Sequence, residues 1–84
     1  MKAYLEHVAP AENKARFYAV VVEPSLFGDW TVFREWGRIG QGGTIRTSAH
    51  ATEAEAIGAA RRLIGAKARR NYTVIETELL SPVT

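Results

Sequence analysis

The chain has 84 residues, 46% of them apolar, with no cysteine and a net charge of +2. A chain this short buries only about 60% of its unfolded surface and supports one core, so a single domain is expected, with neither a disulfide nor a zinc cluster to supplement it. The first ten residues lack the uninterrupted apolar region of a signal peptide, and the aliphatic run Ala19 to Val22 is far short of the roughly 20 residues of a membrane span; a soluble, cytoplasmic protein is expected.

Lys2 to Val8 alternates weakly and reads as an edge strand, followed by turn residues from Ala9 to Asn13. Arg16 to Glu23 is rich in β-branched and aromatic residues on both faces, as in a central strand. It stops at Pro24, which cannot donate to a ladder. After the loop Pro24 to Gly28, the run Asp29 to Trp36 places Trp30, Val32, Arg34 and Trp36 on one face and Thr31, Phe33 and Glu35 on the other. Glycines at 37, 40, 42 and 43 punctuate, and Thr44 to Ala49 alternates again, so these two runs form an antiparallel hairpin around a glycine-rich turn.

From Thr52 the period lengthens to about 3.6, with Ala56, Ile57, Ala60, Leu63, Ile64 and Ala68 on one stripe. Thr52 and Glu55 have the spacing of a capping box, and Asn71 suits a left-handed C-cap. Tyr72 to Glu76 reads as a last short strand, and the chain beyond it, 77–84, as a flexible tail outside a core spanning about 2–76. The whole is an α+β domain: a bent antiparallel sheet of four to five strands with one long helix across one face.

The glycine order around position 40, G-R-I-G-Q-G-G, lies between two strands and has no lysine for a phosphate. It therefore matches neither dinucleotide nor P-loop fingerprints, which sit between a strand and a helix. Its glycines serve a turn that needs positive φ. Catalysis has no better footing. His7 and His50 are far apart, there is one aspartate, and Glu53 and Glu55 diverge around the helix. No enzyme, no cofactor and no metal are expected.

Trp36 and Arg38 are different. A tryptophan ending a strand and an arginine in the tight turn beyond it offer a flat π face and a planar cation, suited to stacking on a base or sugar and pairing with a phosphate. The alternative is that Trp36 caps the core and Arg38 is a solvated turn residue. Basic residues gather nearby: Arg61, Arg62, Lys67, Arg69 and Arg70 lie within ten residues, and Arg34 and Arg46 sit on the strands flanking the turn. The helical cations also complement the negative pole of the helix dipole.

Trp36-Gly37-Arg38 with Ile39-Gly40, an aromatic strand before it ("RFYAV", Arg16 to Val20), and a glycine turn, strand and helix after it ("TEAEA") resemble the WGR domain over about Lys2 to Tyr72. "KARRNY", Lys67 to Tyr72, stands where family members carry a Lys before Gly-Tyr, with Asn71 in place of the glycine. The resemblance implies a compact bent sheet with one helix and nucleic-acid binding, as in DNA-break-sensing poly(ADP-ribose) polymerases. It gives Trp36 end or sugar stacking, Gly37 close backbone approach, and Arg38 phosphate or partner contact.

The leading expectation is a non-enzymatic nucleic-acid-binding module, DNA rather than RNA, with ends or nicks contacted by Trp36, Gly37 and Arg38 and the backbone by Arg34, Arg46, Arg61, Arg62, Lys67, Arg69 and Arg70. The rival is a protein-interaction adaptor using the same surface, since Trp and Arg are enriched at hot spots. No membrane partner is expected, and a monomer is the default.

Overall fold

The computed structural model describes residues 1–79. Five strands, β1 (Lys2–Ala9), β2 (Lys14–Pro24), β3 (Trp30–Arg38), β4 (Thr44–His50) and β5 (Thr73–Thr77), form one antiparallel sheet in the order β4-β3-β2-β1-β5. The helix α1 (Glu53–Ala68) lies across one face, so the chain has the expected α+β architecture. β1 is not the edge strand that its weak alternation suggested, because β5 returns from the helix and pairs along its outer side, Leu5 opposite Val74 and Ala3 opposite Thr77.

The register fixes which side chains meet α1. Leu5, Tyr18 and Trp36 fall in one row across β1, β2 and β3, and Ala3, Val20 and Arg34 in the next. Because side chains alternate between faces, Ala3, Leu5, Tyr18, Val20, Val22 and Val32 form the core with Ala56, Ala60 and Ile64 of the helix. The expected stripe is narrower in fact. Ile57 and Leu63 are partly buried and Ala68 is exposed, while Ala56, Ala60 and Ile64 alone are fully buried.

At the helix start the Thr52 hydroxyl accepts from the Glu55 N–H at 3.2 Å, satisfying one of the amides that a helix leaves unpaired. Helical geometry ends at Ala68, with Arg69 as the C-cap in right-handed conformation. Asn71 does adopt positive φ, 71°, but two residues later, where it reverses the chain into β5. Beyond β5 the expected loose tail is in part packed. The Glu78 N–H bonds the Lys2 carbonyl at 2.9 Å and Leu79 is fully buried, while 80–84 lie outside the described residues.

The opposite face of the sheet carries Phe33 and Ile45, both exposed, and Phe17, nearly buried. The β2–β3 hairpin tip is closed by a Ser25 hydroxyl to Asp29 carboxylate bond and by the Ser25 N–H to the Asp29 carbonyl at 2.8 Å.

Candidate functional site

Trp36, Gly37 and Arg38 all lie within β3, paired with Tyr18, Phe17 and Arg16 of β2. Arg38 is thus the last residue of the strand and not part of the turn. The ladder continues this far because Gly37 has no Cβ: one built there would stand 3.0 Å from Gly43 Cα, so its small size lets the turn fold back over the strand. Gly43 is tighter still, its added Cβ falling 2.5 Å from the Trp36 carbonyl oxygen and 2.9 Å from Phe17 Cζ. The Glu35 carboxylate accepts from the Gly43 N–H at 3.1 Å and holds the turn there. Gly40 takes φ 86° with open space around it, which is the conformational use expected of these glycines.

On the helix-covered face, β3 presents Arg34, Trp36 and Arg38 in succession, and β4 presents Arg46 directly beside Arg34. The Trp36 ring lies 6.4 Å from Tyr18, tilted by 30°, and the Arg34 guanidinium covers it at 5.4 Å from the ring centroid. Lys67, from the last turn of α1, reaches down so that its Nζ stands 5.0 Å from the Tyr18 ring and 5.3 Å from the Tyr72 ring, distances at which a cation is attracted to an aromatic face. Burial pulls the Lys67 ammonium below the ordinary lysine range, and the positive charges of Arg70, Arg16 and Arg34 pull it further. Arg38, at the mouth, donates from its two terminal nitrogens to the Asn13 carbonyl and side-chain oxygens, each at 3.3 Å.

These residues line one branching trough made of overlapping cavities. One of about 440 Å³ runs between the helix and β3–β4 and is lined by Arg34, Arg46 and Arg62; the next, of about 490 Å³, lies over Trp36, Lys67 and Arg70. A third of about 440 Å³ opens at Arg16, Trp36, Gly37 and Arg38, and a smaller one of about 230 Å³ at Lys14, His7 and Tyr72. Eight of the eleven Lys and Arg residues line these cavities, Lys2, Arg61 and Arg69 being the other three, and none of the nine Asp and Glu does. The modest overall charge of +2 is therefore +8 in the trough against −6 on the rest of the molecule. Of the eight, Lys14 pairs with Glu12 at 3.3 Å outside the lining.

Eight of the ten residues singled out in the sequence, Trp36, Gly37, Arg38, Arg34, Arg46, Arg62, Lys67 and Arg70, meet in this trough. Two do not. Arg61 turns the other way and its Nε donates to the Leu79 carbonyl at 2.7 Å, which makes it a structural clamp on the chain after β5. Arg69 is exposed at the C-cap and lines none of these cavities. Sequence reasoning passed over Arg16, Tyr18 and Tyr72. Tyr18 and Arg16 could have been found by carrying the alternation of β2 back two and four residues from Val20, whereas Tyr72 reaches the site only through the chain reversal at Asn71.

The WGR domain family model matches residues 1–78. Over 71 residues, 84% of this chain, the sequence is 38% identical to the uncharacterized protein y4dW of Sinorhizobium fredii (strain NBRC 101917 / NGR234), of which it spans 35%. A crystal structure of a protein from Bacteroides fragilis superposes with a TM-score of 0.75 over 90% of this chain at 21% identity, a likeness of fold that involves 20% of that larger chain. The chain thus spans about a third or less of the length of these two proteins.

Proposed function

The chain belongs to the WGR domain family, and on that premise we propose that it is a non-enzymatic nucleic-acid-binding module that engages DNA at ends or nicks. The family is associated with nucleic-acid binding. One observation carries the proposal for this member: among the described residues, a trough lined by eight cations and by no Asp or Glu, with aromatic rings among the cations. Like charges gathered this closely repel one another; the proton affinity of Lys67, lowered first by burial, is lowered further by Arg70, Arg16 and Arg34. A bound polyanion relieves that repulsion.

The assignment of roles follows the chemistry of each group. Trp36 offers a ring edge and partial face for an exposed terminal base or sugar, a surface that an uninterrupted duplex does not supply. Arg38 at the mouth exchanges its two long bonds to Asn13 for a bidentate pair with a phosphate, which is shorter and stronger. Lys67 and Arg70 add point charges beside it. The protein-adaptor reading draws less support, because interface cores are depleted of charged residues as a class, whereas this trough gathers eight cations of one sign.

The test is fluorescence anisotropy on blunt and nicked duplexes, with an end-free dumbbell duplex as competitor, using the wild type, Trp36→Ala and Arg38→Glu with folding verified by circular dichroism. Ends and nicks are expected to outcompete the dumbbell, and both variants to lose that preference. Equal affinity for the dumbbell, or folded variants that bind as the wild type does, overturns the proposal.

A further inference from the structure

We infer that the arm of the trough between α1 and β3–β4 is a single-strand channel, which takes an unpaired overhang or flap leading away from a duplex end held at Trp36. The inference rests on the proposed function above and extends it to a part of the surface that end binding does not require. This arm begins at Trp36 and runs to the level of Val32, four residues along β3, or about 14 Å.

Three arginines converge on it from three elements. Arg34 and Arg46 are directly opposite on neighbouring strands, on the same face, an arrangement in which like charges are destabilising. Arg62 comes from the helix side, and the cavity that the three share has no acidic lining residue. Between them lie Leu63 and the buried Val32. The arm thus sets planar guanidiniums, which pair with phosphates and on which bases stack, beside apolar surface and leads them to the Trp36 ring, and a single strand presents its phosphates and base faces together.

A duplex cannot use the same elements. Its base faces are stacked away inside, its phosphates lie on a rigid outer surface, and the helix, about 10–12 Å across with its side chains, walls the channel on one side. Arg34, turned over the Trp36 ring, sits at the junction where a strand leaving the end would pass. A single strand there brings one phosphate between Arg46 and Arg62 and lays a base on Leu63.

The inference is tested by anisotropy on three hairpin duplexes: blunt, and with a 5′ or a 3′ overhang of about six thymidines, within the ~4–16 nucleotides of single-strand sites. Each is titrated with the wild type and with Arg46→Ala/Arg62→Ala. One overhang polarity is expected to bind roughly tenfold tighter than the blunt hairpin, as one stacked base and a further phosphate provide, and with a log–log salt slope steeper by about 0.7 per added single-strand contact. In the double variant the overhang-to-blunt affinity ratio should fall to about one; a general loss of charge would lower both affinities and leave the ratio standing. Equal wild-type affinity for all three hairpins, or a ratio that survives the double substitution, overturns the channel while leaving end binding intact. Absence of binding to every hairpin defeats both.

Discussion

The ammonium of Lys67 stands 5.0 Å from the ring of Tyr18, and Tyr72 closes on it from another side at 5.3 Å. Both rings belong to the sheet side of the trough, so this one lysine ties the end of α1 to β2, which pairs with the strand that presents Trp36 and Arg38. Among the described residues no acid pairs with it in that position, and its proton is held less firmly than an ordinary lysine's.

That lowered proton affinity predicts how binding depends on pH. As pH rises, Lys67 loses its charge earlier than a free lysine, so affinity for a blunt DNA end should begin to fall below the usual lysine value of 10.5. Lys67→Arg, which stays protonated, should flatten that decline. The stability of the free protein moves oppositely. The folded pKa lies below the unfolded one, so the unfolded chain binds more protons between the two. The unfavourable contribution of Lys67 is therefore fully present below the folded pKa and is relieved as pH climbs through that window. Urea titrations of the wild type and Lys67→Met across the alkaline range should show the wild type gaining on the variant as pH increases.

Two glycines of one turn should respond to the same substitution for different reasons. Gly43→Ala forces a Cβ to 2.5 Å from the Trp36 carbonyl and 2.9 Å from Phe17, both of them backbone or packed ring. The expected cost is at the upper part of the about 1–3 kcal/mol of overpacking, seen as a melting temperature lower by roughly 10 °C in a domain of this size. Gly40→Ala meets no atom within 4 Å and suffers only from its φ of 86°, about 1–2 kcal/mol. Thermal melts of the pair rank them.

Arg38 and Trp36 should separate binding from stability. The Arg38 side chain is exposed and, among the described residues, bonds only Asn13, at 3.3 Å, so Arg38→Glu is expected within about 0.5 kcal/mol of the wild type. Trp36 packs beside Tyr18 but is only partly buried. Trp36→Ala should therefore cost less than the about 3–5 kcal/mol of a fully buried ring. Chemical denaturation of both variants tests this, and it makes Arg38→Glu the cleaner probe of function.

The segment after β5 should behave as core. Leu79 is fully buried and its carbonyl receives Arg61, so Leu79→Ala should cost about 2–5 kcal/mol, comparable with Ile64→Ala in the centre of the helix stripe. Arg61→Ala should cost roughly 1–2 kcal/mol through the lost charge-assisted bond while leaving DNA affinity within about twofold, which the same anisotropy assay measures.

Much of this was legible in the residues. The alternation from Trp30 to Trp36 and the 3.6-residue stripe of α1 are long and strongly periodic, and the Trp36-Gly37-Arg38 signature sits where the hairpin closes. Less accessible were features set by pairing between distant segments. β1 becomes an inner strand only because β5 returns beside it, and nothing local to Lys2 to Val8 encodes that. Arg61 and Arg62 are neighbours on the helix, yet a rotation of about 100° sends one to Leu79 and the other to the trough. Composition showed a charge of +2, but only the fold separates +8 from −6.

The dependence of binding on salt tests the central claim most directly. A blunt hairpin duplex titrated with the wild-type protein over a range of salt should give a log–log slope of roughly −2.7 to −4.5, since each duplex phosphate contact contributes about 0.9 and the trough reaches some three to five of them. Arg38→Glu should make that slope shallower by about one contact. A slope near zero, unchanged by Arg38→Glu, would contradict the account, because a surface that gathers eight cations without an acid would then be serving something other than a nucleic acid.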